Sequence, residues 1–182
     1  MPNALLLIDI QNDYFPGGNM ELVGMTRAAT RAGKILAAFR QAGRPRFHVQ
    51  HLAKRPDATF FRPDTVGVEI HASVRPLPGE PVIQKHFPNA FRDTGLQEAL
   101  TRAGVKELTI CGAMSHMCID ASTRAAFDYG FQCTVIHDAC ASRDLVFEGL
   151  TIPAAQVHGA FMAALSRLYA RIISSQDFLS GF

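Results

Sequence analysis

Short apolar runs alternate along this 182-residue chain with segments whose apolar positions recur at helical spacing, and that alternation constrains the fold more than any other feature. The runs Ala4–Ile8, Phe47–His51, 82–84, 107–111 and 132–137 are too short for helices and read as strands. Thr26–Ala42 places Ala28, Ala29, Ala32, Ile35, Leu36 and Phe39 on one helical face, and Gly43 with Pro45 ends the pattern. Helices are also expected over 94–103 and 118–129, with Gly104 and Gly130 at C-cap positions. A last helix is expected over 153–173, where Val157, Phe161, Leu165, Leu168 and Ile172 draw one stripe. Alternating strands and helices mean βαβ units, so the expected fold is α/β, a three-layer, doubly wound parallel β-sheet flanked by helices.

The length suits a single domain, residues 1–182, that buries its core without disulfides or metals. Two segments break the alternation. Asn12–Gly24 is dense in turn residues and reads as an ordered loop over the strand ends. Leu52–Gly79 holds several prolines and little periodicity, an excursion of the kind that serves as a functional flap. The 18 basic and 16 acidic residues leave a charge of +2 with no basic run, which argues against a nucleic-acid partner. The N-terminus lacks a cationic start and long apolar stretch, and no segment reaches bilayer length, so no membrane partner and a cytoplasmic location are expected. The cysteines at 111, 118, 133 and 140 fit neither a zinc knuckle nor a disulfide framework. Cys111 and Cys133 read as small buried apolar side chains in strands, and Cys140 as a loop thiol.

Asp9 and Lys85 each end a strand candidate, and Cys118 follows another across the turn Gly112–Met117. The carboxyl ends of parallel strands line one crevice, so a carboxylate, an ammonium and a thiol can meet there. Cys118 would sit in a first helical turn beside a cation, a setting that favours the nucleophilic thiolate. Three other readings compete. A phosphatase with a nucleophilic aspartate at position 9 would need a second aspartate where Gln11 stands. Asp9 and Lys85 could form a salt bridge without chemistry. His116 or His86, adjacent in sequence to the turn and the lysine, could make a Cys–His dyad.

The stretches Leu6–Phe15, Val82–Lys85 and Gly112–Asp120, together with Ala90-Phe91, Thr123–Ala126 and Asp138-Ala139, resemble the isochorismatase-like cysteine hydrolases, a group that includes nicotinamidases and N-carbamoyl amide hydrolases. The resemblance implies a cysteine hydrolase that cleaves an amide or carbamoyl C–N bond of a small molecule through a thioester. It assigns the base to Asp9, the supporting cation to Lys85 and the nucleophile to Cys118, with the backbone N–H groups of Met114 and Cys118 as oxyanion hole and a cis Ala113–Met114 peptide. Gln11, Phe15, Phe61, Phe91 and His116 are expected around the substrate. Metal-bearing nicotinamidases carry Asp-x-His after the second strand, whereas this chain has Val49-Gln50-His51, so neither metal nor organic cofactor is expected. A homo-oligomer, dimer or tetramer, is expected too. The alternatives are a non-catalytic binding or interaction module of the same fold, and a hydrolase of another small substrate such as an ester.

Overall fold

The computed structural model describes residues 3–182. Six strands, β1 (Asn3–Ile8), β2 (Arg46–His51), β3 (Val82–Lys85), β4 (Glu107–Ala113), β5 (Gln132–Ala141) and β8 (Arg171–Ile173), form one sheet. Its order is β3-β2-β1-β4-β5-β8 and every pairing is parallel. The central strand β1 pairs on both sides, and Ala4 to Ile8 are at most 2 % exposed, which explains its unbroken apolar run.

The helices are α1 (Met25–Gln41), α2 (Leu96–Arg102), α3 (Asp120–Asp128), α4 (Ala154–Ser166) and α5 (Ser175–Ser180). α1 buries Met25, Ala28, Ala29, Ala32, Ile35, Leu36 and Phe39, which include the six residues of the expected stripe. It packs with α5 against β5, while α3 and α4 pack together. The chain runs outward from β1 to β3 and then crosses to β4 and β5. The order therefore reverses between β1 and β4, and ligands of open α/β sheets bind beyond the strand ends at such a point.

Two differences from the sequence reading lie near the C-terminus. The last helix ends at Ser166, and 171–173 forms edge strand β8 on β5. Leu168 is 63 % exposed, so the apolar stripe does not continue as one buried face, and pairing with β5 claims the β-branched Ile172 and Ile173 instead. Leu145–Phe147 (β6) and Leu150–Ile152 (β7) make an antiparallel hairpin outside the main sheet that the sequence reading did not contain. Cys140 is a buried residue of β5 rather than a loop thiol. Among the described residues no helix is long and apolar enough to cross a membrane.

Candidate active site

Three adjacent strands, β3, β2 and β1, end beside the turn that follows β4. Asp9 leaves β1 with φ 52°, a left-handed conformation costing about 1 kcal/mol for a residue with a Cβ, and its N–H is held by the Val49 carbonyl of β2. Lys85 is the last residue of β3 and pairs in register with His51 of β2. On β4, Gly112 has φ 131°, and a Cβ there would collide with the Ile8 carbonyl, so only glycine lets the two strand ends approach. The next peptide, Ala113–Met114, is cis. The chain then winds through a π-type turn, Ser115–Ile119, in which the Met114 carbonyl accepts from the N–H groups of Met117 and Ile119. Cys118 lies in this turn, just before α3.

The Lys85 ammonium is the centre of the cluster. Its Nζ is 2.7 Å from Asp9 Oδ2, 2.9 Å from His51 Nδ1, 3.0 Å from the Phe87 carbonyl and 3.3 Å from Cys118 Sγ. Asp9 and Lys85 are 0 % exposed and Cys118 4 %. Burial works against the charge on Lys85, but the neighbouring Asp9 and Cys118 outweigh it and raise the lysine pKa. His51 is pushed down to about 4, first by burial and then by the Lys85 charge, so its neutral ring accepts a hydrogen bond from the ammonium. Burial, reinforced by the Asp9 carboxylate, pushes the Cys118 thiol up against the opposing pull of Lys85. Burial thus opposes the thiolate that the neighbouring cation favours. Donor atoms of Asp9, His51 and Cys118 lie within 4.8 Å of one another, the spacing of a metal site, yet the Lys85 ammonium already stands within reach of all three.

The flap closes over this cluster. The Asp13 carboxylate accepts from Phe61 N–H at 2.6 Å and from both the backbone N–H and the side-chain amide of Asn19. A side chain at Gly67 would collide with that carboxylate. Phe61, 0 % exposed, sits with its ring centroid 4.6 Å from Tyr14, 5.0 Å from Phe60 and 5.7 Å from His51. The Tyr14 phenol is raised well above its ordinary pKa, mainly by burial and then by the charges of Cys118 and Asp9, and stays protonated.

Several residues expected around the substrate are engaged in the framework. The Gln11 amide donates to the carbonyls of His51 and Val68 and its oxygen accepts from His51 N–H, so it laces β1 and β2 to the flap. Phe15 stacks on His71 at 3.6 Å under the flap. Phe91 is buried and packs on Tyr129 and Phe131. His116 shares a 2.8 Å hydrogen bond with Ser142, and His86 Nδ1 donates to the Leu52 carbonyl; neither ring bonds the sulfur. Conversely, His51, Asp13 and Tyr14 were missed. His51 carried the same signal as Asp9 and Lys85, since it ends the strand between theirs.

The model of the isochorismatase domain matches residues 3–177. An uncharacterised isochorismatase family protein of Bacillus subtilis, YddQ, is 54 % identical over 98 % of this chain and 99 % of its own length. A crystal structure from Oleispira antarctica, assigned to the isochorismatase hydrolases, superposes with a TM-score of 0.96 at 52 % identity, covering 99 % of this chain and 97 % of that one. Streptothricin hydrolase of Streptomyces noursei is 37 % identical over 78 % of this chain and 50 % of its own length.

Proposed function

Since the chain belongs to the isochorismatase family of hydrolases, we propose that it is a cysteine amidohydrolase that cleaves an amide or carbamoyl C–N bond of a small molecule. The observation that carries this reading is the Lys85 ammonium bound between the Asp9 carboxylate and the Cys118 sulfur. Binding alone does not call for a thiol, a carboxylate and an ammonium sharing one sealed site, and the similarity to streptothricin hydrolase agrees with a hydrolytic role.

Asp9 takes the thiol proton as Sγ bonds to the substrate carbonyl carbon. The charge that develops on the carbonyl oxygen falls to the backbone N–H groups of Met114 and Cys118; that of Met114 has no acceptor among the described residues. Lys85 stays protonated and offsets the negative charge that moves from Asp9 to sulfur and back. Protonated Asp9 then gives its proton to the departing nitrogen as the C–N bond breaks, leaving a thioester. A water attacks the thioester carbon, Asp9 accepts its proton, and that proton returns to sulfur as the acid product leaves. No cofactor enters the cycle. Because Asp9, Lys85 and Phe61 are 0 % exposed, substrate entry requires the flap segment around Phe61 to lift.

The test is amine and ammonia release from a panel of small carboxamides, carbamoyl compounds and matching esters. Turnover of an amide that is lost in Cys118→Ala supports the reading. Turnover of esters alone, or turnover retained in Cys118→Ala, overturns it.

A further inference from the structure

Apart from the catalytic cluster, α1, β5 and the first turn of α4 enclose a cavity of about 320 Å³. Basic groups from all three elements line it: Arg27 and Arg31, neighbours on one face of α1, His137 on β5 and His158 on α4. The carboxylate among its lining residues, Asp138, is already committed. It accepts from Arg31 Nε at 3.0 Å and from the N–H and the hydroxyl of Ser175 at 2.7 and 2.8 Å. Arg27 is exposed and has no hydrogen-bond or ion-pair partner among the described residues. The N–H of Ala155, in the first turn of α4 at the cavity wall, has none either.

His158 is oriented by the turn that carries Cys118. The Ser115 hydroxyl donates to the Ala141 carbonyl at 3.0 Å, so its oxygen accepts from His158 Nδ1 at 2.8 Å. A neutral ring that donates through Nδ1 leaves Nε2 bare, and a proton taken up there makes a second donor. Burial first, and then His137, whose ring centroid is 6.5 Å away, lower the His158 pKa and keep the empty site's ring neutral.

We propose that this cavity is a second binding site, separate from the catalytic cluster, for the phosphate group of a small phosphomonoester. The donor set selects the anion. Two guanidinium groups, two imidazoles and a free backbone N–H border one space, more donors than the two oxygens of a carboxylate call for, whereas a phosphate ester offers three acceptor oxygens and up to two charges. With Asp138 offset by Arg31, the Arg27 charge remains to attract it. An arriving dianion then favours protonation of His158, because an opposite charge nearby stabilises the charged ring. Volume selects an ester over the bare ion: the cavity has the size of a small-molecule site, and Val23, Ala28 and Ala154 give it apolar wall against which an organic group can lie.

Calorimetric titration of the full chain tests this, with inorganic phosphate and with a panel of sugar phosphates and nucleoside monophosphates, each beside its unphosphorylated parent. At least one ester should bind about tenfold more tightly than inorganic phosphate, and its parent should not bind. On saturation the imidazole resonances of His137 and His158 should shift. Arg27→Glu and His158→Gln should each weaken that ester about tenfold with the melt kept, since Arg27 is exposed and a glutamine amide can still bond Ser115. Chain alkylated at Cys118 should bind the ester as well as the wild type does, whatever its hydrolytic activity. Absence of binding by every phosphate compound at millimolar concentration, or affinity unchanged in both variants, overturns the proposal. Inorganic phosphate binding as tightly as every ester overturns the choice of ligand, and loss of binding on alkylation would place the phosphate at the catalytic cluster instead.

Discussion

His51 Nδ1 lies 2.9 Å from Lys85 Nζ and 3.9 Å from Asp9 Oδ2, so the ammonium that faces the sulfur is aimed by an imidazole as well as by a carboxylate. The ring acts as an acceptor only while neutral. Burial and the Lys85 charge hold its pKa at about 4 against an unfolded value near 6.5.

The sign of the resulting pH dependence is fixed. A depressed histidine pKa contributes stability that is full above the unfolded value and is lost as pH falls from about 6.5 toward 4, by about 3 kcal/mol. His51→Gln should flatten the loss of stability over that window, as read from denaturant midpoints at each pH, and should lower kcat about tenfold by releasing Lys85. A wild-type slope unchanged in the variant would mean that His51 does not titrate as the geometry requires.

The flap latch makes access to Cys118 conditional on Asp13. Asp13→Ala removes the acceptor of the Phe61 N–H and of Asn19, and should cost about 1–3 kcal/mol. Peptide mapping after iodoacetamide should show Cys118 labelled several-fold faster than in the wild type, with Cys111, Cys133 and Cys140 unchanged. Equal acceleration at all four thiols would point to global opening instead.

Roles within the site separate by substitution. Cys118→Ser and Asp9→Asn should each reduce kcat by about 10³ or more, since the thiol and its base act as a unit; the melt should hold in Cys118→Ser and fall in Asp9→Asn, which leaves the Lys85 ammonium buried without its carboxylate. His116→Ala should stay within a few-fold, because that ring bonds Ser142 rather than the sulfur. A large loss in His116→Ala with activity kept in Asp9→Asn would move the base to the histidine.

At the opposite end of the sheet, Glu80 accepts from Arg40, Arg46, His48 and the Leu77 N–H, and these partners, Arg40 foremost, hold its carboxyl far below the usual range. A depressed carboxyl pKa contributes stability above its unfolded value of about 4.5 that is lost as pH falls below it. Glu80→Gln should destabilise by about 2–3 kcal/mol at pH 7, because it leaves the half-buried Arg40 and Arg46 guanidinium groups short of charge, and the gap to wild type should narrow in acid. Chemical denaturation at pH 7 and pH 3 measures both.

What the sequence by itself determined is local. A run such as Ala4–Ile8 can only be a buried strand, the spacing from Ala28 to Phe39 can only be one face of a helix, and strand ends in a parallel sheet point one way, so Asp9, Lys85 and the Cys118 turn were legible as neighbours. What only the tertiary structure decided depends on competition between distant partners. β5 had a free edge, which took Ile172 and Ile173 out of the apolar stripe of the last helix. Phe91 joined the buried core, and the Gln11 amide was consumed by backbone groups 40 and 57 residues away. The upward push on the Cys118 pKa belongs to the same class: it follows from what surrounds the sulfur in space, and that burial arises only when the flap, β1 and β3 close around it.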